Sequence, residues 1–393
     1  MTRFRHIPFD YAVRNLGRSP VRLAASLVGA SLVVLLVLAA GGFMQGMQRT
    51  LAADDGLHDN VMLLGAGSEE SLERSQIDAS VASIVAASVP GLLTRAGVTF
   101  VSPEIHIALP LREDAQSTTD LPAVLRGVRD AAFLVHPEVE IIDGRLPRSG
   151  HDEIIVGRLA ATRLGVPAER LDVGRTLYLD RRDWTIVGRF QAPGTVMDAE
   201  IWMPLSDLQI ASKREQSLSC VIMSLDRATF ADVDMFAKSR LDLELTAMSE
   251  RAYYRSIAAF YGPIRAMVLV TAVLIALGGV LGGLNTMYAA FAARVREIGV
   301  LQCLGFGRPA IVVSLLEESL IMAAAGSVIG GVAGLVLLDG LAVRISMGAF
   351  VLTVDGPVVL AGLAAGLIVG VVGAVPPAIR CLRLPLTEAL RAP

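Results

Sequence analysis

The chain has 393 residues, of which 53% are apolar and 19% are charged, and its mean hydropathy is +0.57. These values exclude an ordinary soluble protein, although the middle of the chain has a soluble composition. The net charge of −3 conceals an uneven distribution, because residues 45–262 hold 31 acidic and 22 basic side chains. The composition is therefore typical of a membrane protein with one substantial aqueous domain.

Four apolar runs predict four transmembrane helices, at residues 23–48, 263–293, 309–338 and 356–379. About 20 apolar helical residues are enough to cross a bilayer core of about 30 Å. The first run is longer than the roughly 7–15 apolar residues of a signal peptide, so we expect it to be retained. The predicted fold class is a membrane protein with one helix, then three, and a large α+β extracytoplasmic domain at residues 49–262.

Arginines around the apolar runs predict the orientation. Most of them lie before the first run, between the second and third, and after the fourth. By the positive-inside rule these segments are cytoplasmic. We therefore predict a cytoplasmic interfacial helix at residues 1–22 and a cytoplasmic tail at residues 380–393. The interfacial helix either lies on the membrane surface or contacts a cytoplasmic partner. Residues 339–355 are then an extracytoplasmic loop.

The residues between the first and second runs predict an α+β domain with a mostly antiparallel sheet. Residues 180–183 predict a hairpin turn. Cys220 is the only cysteine of this domain, so no disulfide within the chain can stabilise it. The predicted helices are Ser71–Val89, Arg158–Leu164 and Thr229–Leu241. The predicted strands are Val98–Val101, Glu104–Leu111, Ala123–Val128, Glu153–Val156, Thr176–Leu179, Trp184–Val187, Ile201–Met203 and Leu218–Leu225.

The sequence contains no recognisable catalytic motif. Lys213 and Lys238 are its only lysines, and neither lies in the Gly-Lys-Ser/Thr of a Walker A loop. We therefore expect this chain not to hydrolyse ATP by itself, and we expect no catalytic residues, bound cofactor or metal ion in it. Glu317 and Glu318, at the start of the third helix, either form a proton or substrate site or pair with an arginine. We favour the structural role because both lie near the membrane surface.

Three glycines recur at four-residue spacing in the third helix, at Gly326, Gly330 and Gly334. Small residues on one helical face allow another helix to approach closely. The pattern predicts helix packing, against a helix either of this chain or of a second copy.

Three segments resemble the MacB/FtsX-type (type VII) permeases of ABC transporters, which include the lipoprotein-releasing permeases. Residues 294–305 read RVREIGVLQCLG, residues 315–320 read LLEESL ahead of the three glycines, and residues 377–391 read PAIRCLRLPLTEALR. Parts of the outer domain, at residues 142–145, 153–157 and 184–188, are also similar to that family. The resemblance covers nearly the whole chain.

The resemblance implies that residues 294–308 are a cytoplasmic coupling helix that docks on a separate ATPase. The apolar residues of this amphipathic segment would fill a groove of the partner while its charges set the register. The alternative is a membrane-surface helix without a partner. The candidate coupling residues are Arg294, Arg296, Glu297, Ile298, Gly299, Leu301, Leu304 and Gly305.

The resemblance also implies a location in a bacterial inner membrane, the assembly and its mechanism. Two ATPase copies, which bind ATP and magnesium, would join two permease copies that are identical or homologous. Membrane lipids and a periplasmic or outer-membrane protein are further expected partners, and nucleic acid is not. ATPase motion would be relayed to the outer domain to export or extract a lipoprotein, lipid, peptide or drug.

Two alternative functions remain open from the sequence. The chain could relay motion without transport and activate an extracytoplasmic cell-wall hydrolase. It could also be a membrane-tethered binding or adhesion domain without an energy source.

Overall fold

The computed structural model describes residues 20–52, 60–345 and 348–383, which form two compact units. The described part of the membrane unit comprises residues 20–45, 263–341 and 352–383, and the described part of the outer domain comprises residues 46–52, 60–262, 342–345 and 348–351. Nearly all of the predicted interfacial helix and most of the predicted tail lie outside the described residues.

The helices of the described chain are numbered in sequence order. They are α1 (Pro20–Ala52), α2 (Val81–Ser88), α3 (Ala132–Val135), α4 (Ala160–Leu164), α5 (Leu205–Ala211), α6 (Phe230–Ser239), α7 (Glu250–Phe260), α8 (Gly262–Ala292), α9 (Val295–Cys303), α10 (Arg308–Leu338) and α11 (Gly356–Leu382). Short 3₁₀ turns occur at Ala168–Leu171, Val196–Ala199 and Leu241–Leu243.

The strands follow the same numbering. They are β1 (Val61–Gly65), β2 (Ile77–Asp78), β3 (Thr94–Arg95), β4 (Val98–Thr99), β5 (Val101–Leu111), β6 (Leu121–Val128), β7 (Glu140–Gly144), β8 (Glu153–Gly157), β9 (Thr176–Leu179), β10 (Arg182–Gln191), β11 (Ile201–Pro204), β12 (Ser217–Leu218), β13 (Cys220–Met223), β14 (Leu245–Ser249), β15 (Ala342–Ile345) and β16 (Gly348–Val351).

In the membrane unit, four helices are long and apolar enough to cross a bilayer: α1, α8, α10 and α11. Their apolar stretches are 25 to 31 residues long, which exceeds the roughly 20 residues that a span requires. One span before the outer domain and three after it confirm the predicted plan.

The outer domain is built on a ten-stranded sheet with the order β14-β1-β13-β5-β6-β11-β8-β10-β7, and β9 pairs with β10. The pairing is antiparallel except between β10 and β8 and between β11 and β6, so the predicted mostly antiparallel sheet is confirmed. Helices α2 and α5 pack against the sheet, and the residues between them form a continuous apolar core. Trp184 and Trp202 are among the largest fully buried side chains. Because this core is extensive, the domain needs no disulfide.

One predicted helix of the outer domain is wrong in its first half. The sequence pattern predicts a helix over Ser71–Val89, whereas α2 begins only at Val81. Asp78 Oδ1 accepts hydrogen bonds from the backbone N–H and the hydroxyl of Ser80, at 2.8 and 2.5 Å. This local turn and the pairing of β2 with β12 remove residues 71–80 from the helix.

Strands β1, β7 and β14 are present in the structure but were absent from the sequence prediction. Two of them lie at the edges of the large sheet. The exposed positions of an edge strand weaken the apolar alternation that sequence reading depends on. β7 illustrates this, because four of its five residues are exposed and none is buried.

The predicted loop between the third and fourth spans contains a β-hairpin that belongs to the outer domain. Strands β15 and β16 pair antiparallel, and Ala349 lies in a buried apolar cluster with Leu159 and Ala199. The ring of Phe350 meets that of Tyr261 edge-on at 5.5 Å. The chain between α10 and α11 therefore contributes to the outer domain, in addition to the segments that follow α1 and precede α8.

Candidate functional site

The predicted coupling segment forms helix α9, which is held in place by its apolar side. Val295 and Ile298 are buried in a cluster with residues of α8, α10 and α11. Gly299 is also buried, and Leu301 packs partly buried against the same cluster. These residues fix the helix to the membrane unit, because apolar side chains that leave water stabilise the contact.

The opposite side of α9 is exposed. Arg296 and Glu297 are exposed, and Val300 and Leu304 retain 46% and 60% of their accessible surface. Ile298 is buried against the spans, although it is one of the candidate residues predicted from the sequence for the contact with the ATPase. The predicted contact of this segment with an ATPase stays a prediction, and the exposed side chains are the ones available for it.

Gly305 ends α9 in a left-handed turn. Its φ is +89°, and the backbone N–H groups of Gly305 and Phe306 donate to the carbonyls of Gln302 and Leu301 at 3.1 Å each. This pair of hydrogen bonds is a Schellman motif, in which glycine is favoured because it has no Cβ to clash. Leu301 and Phe306 both pack on the buried cluster, so the turn also has the apolar contact that accompanies such motifs.

Arg294, at the start of α9, pairs with the third span. Its Nη1 donates to Glu318 Oε2 at 2.9 Å, and its Nε donates to Glu297 Oε2 at 3.2 Å. Glu318 is buried, and a buried carboxylate needs a well-placed partner to compensate for the loss of its hydration. The pair agrees with the structural role predicted for Glu318, and it fixes Arg294 as an anchor of α9.

The predicted packing glycines of α10 face α1 of the same chain. A Cβ on Gly326 would come within 2.7 Å of Ala30 Cβ, and one on Gly330 would come within 2.5 Å of the Ser31 carbonyl oxygen. Gly334 faces Leu38 in the same way. The Ser31 hydroxyl donates to the Gly326 carbonyl at 2.8 Å. Close approach of the two backbones therefore depends on the missing side chains.

A cavity of about 420 Å³ lies among the spans of the membrane unit. Residues from α1, α8, α10 and α11 line it, and none of them is charged. Gly278, Gly279, Gly282 and Gly283 of α8 form much of one wall. Its composition suits hydrocarbon chains better than ions or polar solutes.

In the outer domain, five buried side chains of alternating charge form what we call the charge chain: Glu250, His136, Glu104, Arg126 and Glu200. Glu250 Oε1 lies 3.8 Å from His136 Nδ1, and His136 Nε2 lies 3.0 Å from Glu104 Oε1. Arg126 Nη1 donates to Glu104 Oε2 at 2.7 Å. Its Nε and Nη2 bind both oxygens of Glu200 at 2.7 and 3.0 Å.

The pKa values of the charge chain favour its ionised forms. Although burial opposes the charge of Glu104, His136 and Arg126 hold its pKa well below the usual value. Burial likewise opposes the imidazolium of His136, but the Glu104 carboxylate raises its pKa to about 10. Arg126 similarly overcomes burial and lowers the pKa of Glu200 to about 2. At neutral pH the members with these shifts are therefore charged and compensate one another.

Glu104, His106 and Cys220 place their ligand atoms within 4.8 Å of one another, as a metal site would require. The fit to a cation is poor, because Glu104 Oε2 already accepts from the Arg126 guanidinium and a metal ion would lie beside that positive charge. Burial also raises the pKa of Cys220 well above its usual value, which favours the thiol over the metal-binding thiolate. Glu104 instead belongs to the charge chain, and His106 Nε2 lies 3.2 Å from its Oε2.

Sequence reasoning did not find the charge chain. The available signal was a charged residue within an otherwise apolar strand, as Glu104 is in β5 and Arg126 is in β6. Such residues are rarely buried unless they are paired. Their partners, however, come from distant parts of the chain and could not be identified without the fold.

Family comparisons cover most of the chain. The MacB-like periplasmic core domain matches residues 23–235, and the FtsX-like permease C-terminal domain matches residues 269–386.

Relatives with similar sequences include the following two proteins. The ABC transporter permease YvrN of Bacillus subtilis (strain 168) is 24% identical, over 71% of this chain and 63% of YvrN. The macrolide export ATP-binding/permease protein MacB 1/2 of Paracoccus denitrificans (strain Pd 1222) is also 24% identical, over 95% of this chain and 56% of that protein. The chain thus spans less than two thirds of the length of either relative.

Among solved structures, the periplasmic region of MacB from Actinobacillus actinomycetemcomitans matches 51% of this chain and 92% of its own length. Its TM-score is 0.37, and the sequence identity is 12%.

Proposed function

The chain belongs to the MacB-like periplasmic core domain family and carries an FtsX-like permease domain, and from this premise we propose that it is the permease subunit of an ATP-driven transporter. Two such permeases, identical or homologous, would assemble with two copies of an ATPase that binds ATP and magnesium. The complex would lie in a bacterial inner membrane with both termini of the chain in the cytoplasm, as the arginine distribution favours.

The observation that carries the proposal is the division of α9 into two sides. Ile298 and its buried neighbours hold the helix on the membrane unit, and Arg294 fixes its start through Glu318. The other side presents two charged residues beside the apolar Val300 and Leu304. A helix with this arrangement can transmit a push, because one side is fixed to the spans while the other remains available to a partner.

The apolar cavity supports a hydrophobic or amphipathic substrate. A water-soluble ion or sugar would need polar groups to replace its hydration, and the cavity offers few of them. A lipid, a lipoprotein, an apolar peptide or an amphipathic drug would place hydrocarbon there. The outer domain would then be moved by the ATPase cycle and would extract or expel this substrate on the outer side of the membrane.

Copurification tests the proposal. The chain, expressed from its native genomic region and purified in mild detergent, should retain an ATPase. Replacing Arg296 and Leu304 together by glutamate should lower the amount of bound ATPase at least tenfold. Contact residues of this kind each contribute about 1–2 kcal/mol or more, which corresponds to roughly a tenfold effect or more.

The matched control is the pair of changes Arg181→Glu and Val173→Glu on the outer domain, which likewise alter one arginine and one aliphatic residue at exposed positions. This control should bind the ATPase like the unchanged protein. Equal retention of the ATPase by the α9 variant and the control would contradict the proposal.

A further inference from the structure

In the described chain, the first strand after α1 and the last strand before α8 lie side by side at one edge of the outer-domain sheet. Strand β1, the first strand after α1, pairs antiparallel with β14, which leads into α7. Asn60 precedes β1, and Glu250 is the first residue of α7. The Glu250 N–H donates to the Asn60 carbonyl at 3.0 Å, and Asn60 Nδ2 donates back to Glu250 Oε2 at 2.8 Å. Reciprocal hydrogen bonds thus fasten the incoming and outgoing segments to each other.

Asn60 is itself held from other directions. Its Nδ2 also donates to the Val135 carbonyl at 3.1 Å, and its Oδ1 accepts from the Ser224 hydroxyl at 2.7 Å. The side-chain amide of Asn60 therefore makes three hydrogen bonds in the buried interior, two as a donor and one as an acceptor. An asparagine satisfied in this way fixes one arrangement of the backbone around it.

The charge chain starts at this point and runs across the sheet. Glu104 lies on β5, Arg126 lies on the neighbouring β6, and Glu200 directly precedes β11. The Glu200 carbonyl accepts from the Gly157 N–H of β8 at 2.9 Å, so the chain ends where the distal strands β8, β10 and β7 begin. A line of opposite charges therefore joins the edge that carries α7 to the far part of the sheet.

The far part of the sheet has its own connection to the membrane spans. The β15–β16 hairpin between α10 and α11 packs on α4 and on the turn Val196–Ala199, which directly precedes Glu200. The charge chain consequently lies between the part of the domain linked to α1 and α8 and the part contacted by the hairpin.

Stability alone does not explain a buried line of charges. Apolar residues of similar volume would fill the same space, and in other proteins such replacements are often neutral or stabilising. Paired buried charges instead permit one relative arrangement and penalise every other, because any displacement separates opposite charges in a medium of low dielectric constant. This property suits an element that must move without deforming.

We propose that the charge chain is a set of positioning residues that makes the segments after α1 and before α8 move as one body with the distal strands of the outer domain. The inference rests on the proposed function, since the motion to be relayed is the one that the ATPase would drive. Without the charge chain, α7 would move relative to the distal strands. Part of the movement driven by the ATPase would then deform the outer domain and would not reach those strands.

Spin-label distances within the full complex test this inference. One label is placed at Ser256→Cys on α7 and the other at Asp183→Cys on β10, both exposed positions. Cys303 and Cys381 are replaced by serine, and the buried Cys220 is kept. The distance is measured by pulsed electron paramagnetic resonance in lipid nanodiscs, first without nucleotide and then with ATP and vanadate. The test variant is Glu250→Gln, and the control is Glu153→Gln, which removes a carboxylate from the separate pair with Arg145.

In the unchanged protein and in the control, we expect one narrow distance distribution that is the same in both nucleotide states. In the Glu250→Gln variant, we expect the distribution to broaden and its mean to shift between the two states. If the charge chain only stabilised the fold, its loss would not make the distance between the two labels depend on the nucleotide. A distribution in the variant that matches the control overturns the inference, and so does a nucleotide-dependent shift in the unchanged protein.

A second variant covers the case in which Glu250→Gln does not fold. The triple change Glu104→Gln, Arg126→Met and Glu200→Gln removes the opposite charges together and leaves no unpaired member among the three. It should show the same nucleotide-dependent shift, and a distance as constant as in the control would overturn the inference.

A label on the native Cys303, read in a separate sample, distinguishes the two proposals. If the spectrum of this label responds to nucleotide while the distances in both variants stay constant, only the inference fails. If the Cys303 label does not respond, the proposed function fails and the inference fails with it.

Discussion

The membrane unit and the outer domain achieve close packing by opposite means. In the membrane unit, α10 approaches α1 through glycines. Arg294, at the start of α9, forms an ion pair with the buried Glu318 of α10. In the outer domain, an apolar core surrounds a line of buried charges that crosses several strands. The two units have the same task of holding backbones in one arrangement.

The difference follows from the solvent of each unit. Lipid tails are as apolar as leucine, so helices in a bilayer gain little by burying large apolar side chains and instead gain by shape complementarity. In water, burial of apolar side chains already stabilises the outer domain, and the fold can therefore accommodate charges that specify a single arrangement. Close packing thus involves small residues in one unit and an apolar core with paired charges in the other.

The largest expected effect comes from breaking the charge chain at its centre. Arg126→Ala removes the guanidinium that binds Glu104 and Glu200, and it leaves two carboxylates buried without that partner. Loss of one member of a buried pair lowers the free energy of unfolding by about 3–5 kcal/mol. Thermal or denaturant unfolding of the full protein in detergent measures this change. Arg112→Ala, which breaks an exposed pair with Asp120, should leave the unfolding midpoint unchanged.

The pH dependence of the free energy of unfolding tests the same group of buried charges. Burial opposes the charge of His136, but Glu104, Glu138 and Glu250 raise its pKa to about 10, above the value of about 6.5 in the unfolded chain. The folded protein then binds more protons, so the stabilisation is full below about pH 6.5 and is lost as the pH rises towards 10.

The free energy of unfolding is measured between pH 7 and 8.5. At higher pH the ionisation of Cys220 would also change the stability, because burial raises the pKa of this thiol in the folded protein. The free energy of unfolding should fall with pH in the unchanged protein. The His136→Gln variant should show a clearly smaller slope, and equal slopes in the two proteins would contradict this interpretation.

A substitution in the membrane unit tests the other half of the comparison. Gly330→Val places a side chain against the backbone of Ser31, where a Cβ alone would lie 2.9 Å from the Ser31 Cα. Overpacking of this kind destabilises a packed interface by about 1–3 kcal/mol. The neighbouring change Gly331→Ala is the control, since its Cβ would meet Leu363 at an ordinary distance of 3.5 Å. Unfolding in mixed detergent micelles should separate the two variants, and equal midpoints would show that close approach to α1 is not required.

The smallest effect is expected at the end of α9. Gly305→Ala puts a Cβ on a residue with a φ of +89°, which should cost about 1–2 kcal/mol locally. Amide hydrogen exchange should become faster in the last turn of α9 and remain unchanged in α10. Unchanged protection of Gln302 to Leu304 would mean that the left-handed turn is not required.

The sequence was sufficient to predict what depends on local composition. The four spans follow from apolar length, and Gly165 ends α4 in a left-handed conformation where a helix stop was predicted. The turn between β9 and β10 has left-handed residues at Asp180 and Arg181, within the predicted hairpin. These features need only neighbouring residues, so a single sequence contains their signal.

The remainder depends on residues that are far apart in the chain. Glu104 and Glu200 meet Arg126 only because β5, β6 and β11 are neighbours in the sheet. Similarly, Ile298 has the apolar character of a docking residue, and only the fold shows that its contacts are within its own chain. Strand order and the distribution of buried faces are not encoded in any single segment.

The most direct measurement of the central claim uses the exposed Cys303 on α9. In cells that express a chain with Cys381 replaced by serine at native levels, a thiol-reactive photocrosslinker at Cys303 should trap an ATP-binding protein, and mass spectrometry should identify it. The same reagent at Arg181→Cys, in a chain with both Cys303 and Cys381 replaced by serine, should trap no such protein. Capture of the ATPase from Cys303 alone is the result that this account predicts. Repeated failure to capture it from Cys303, while the ATPase is present in the cell, would contradict the account.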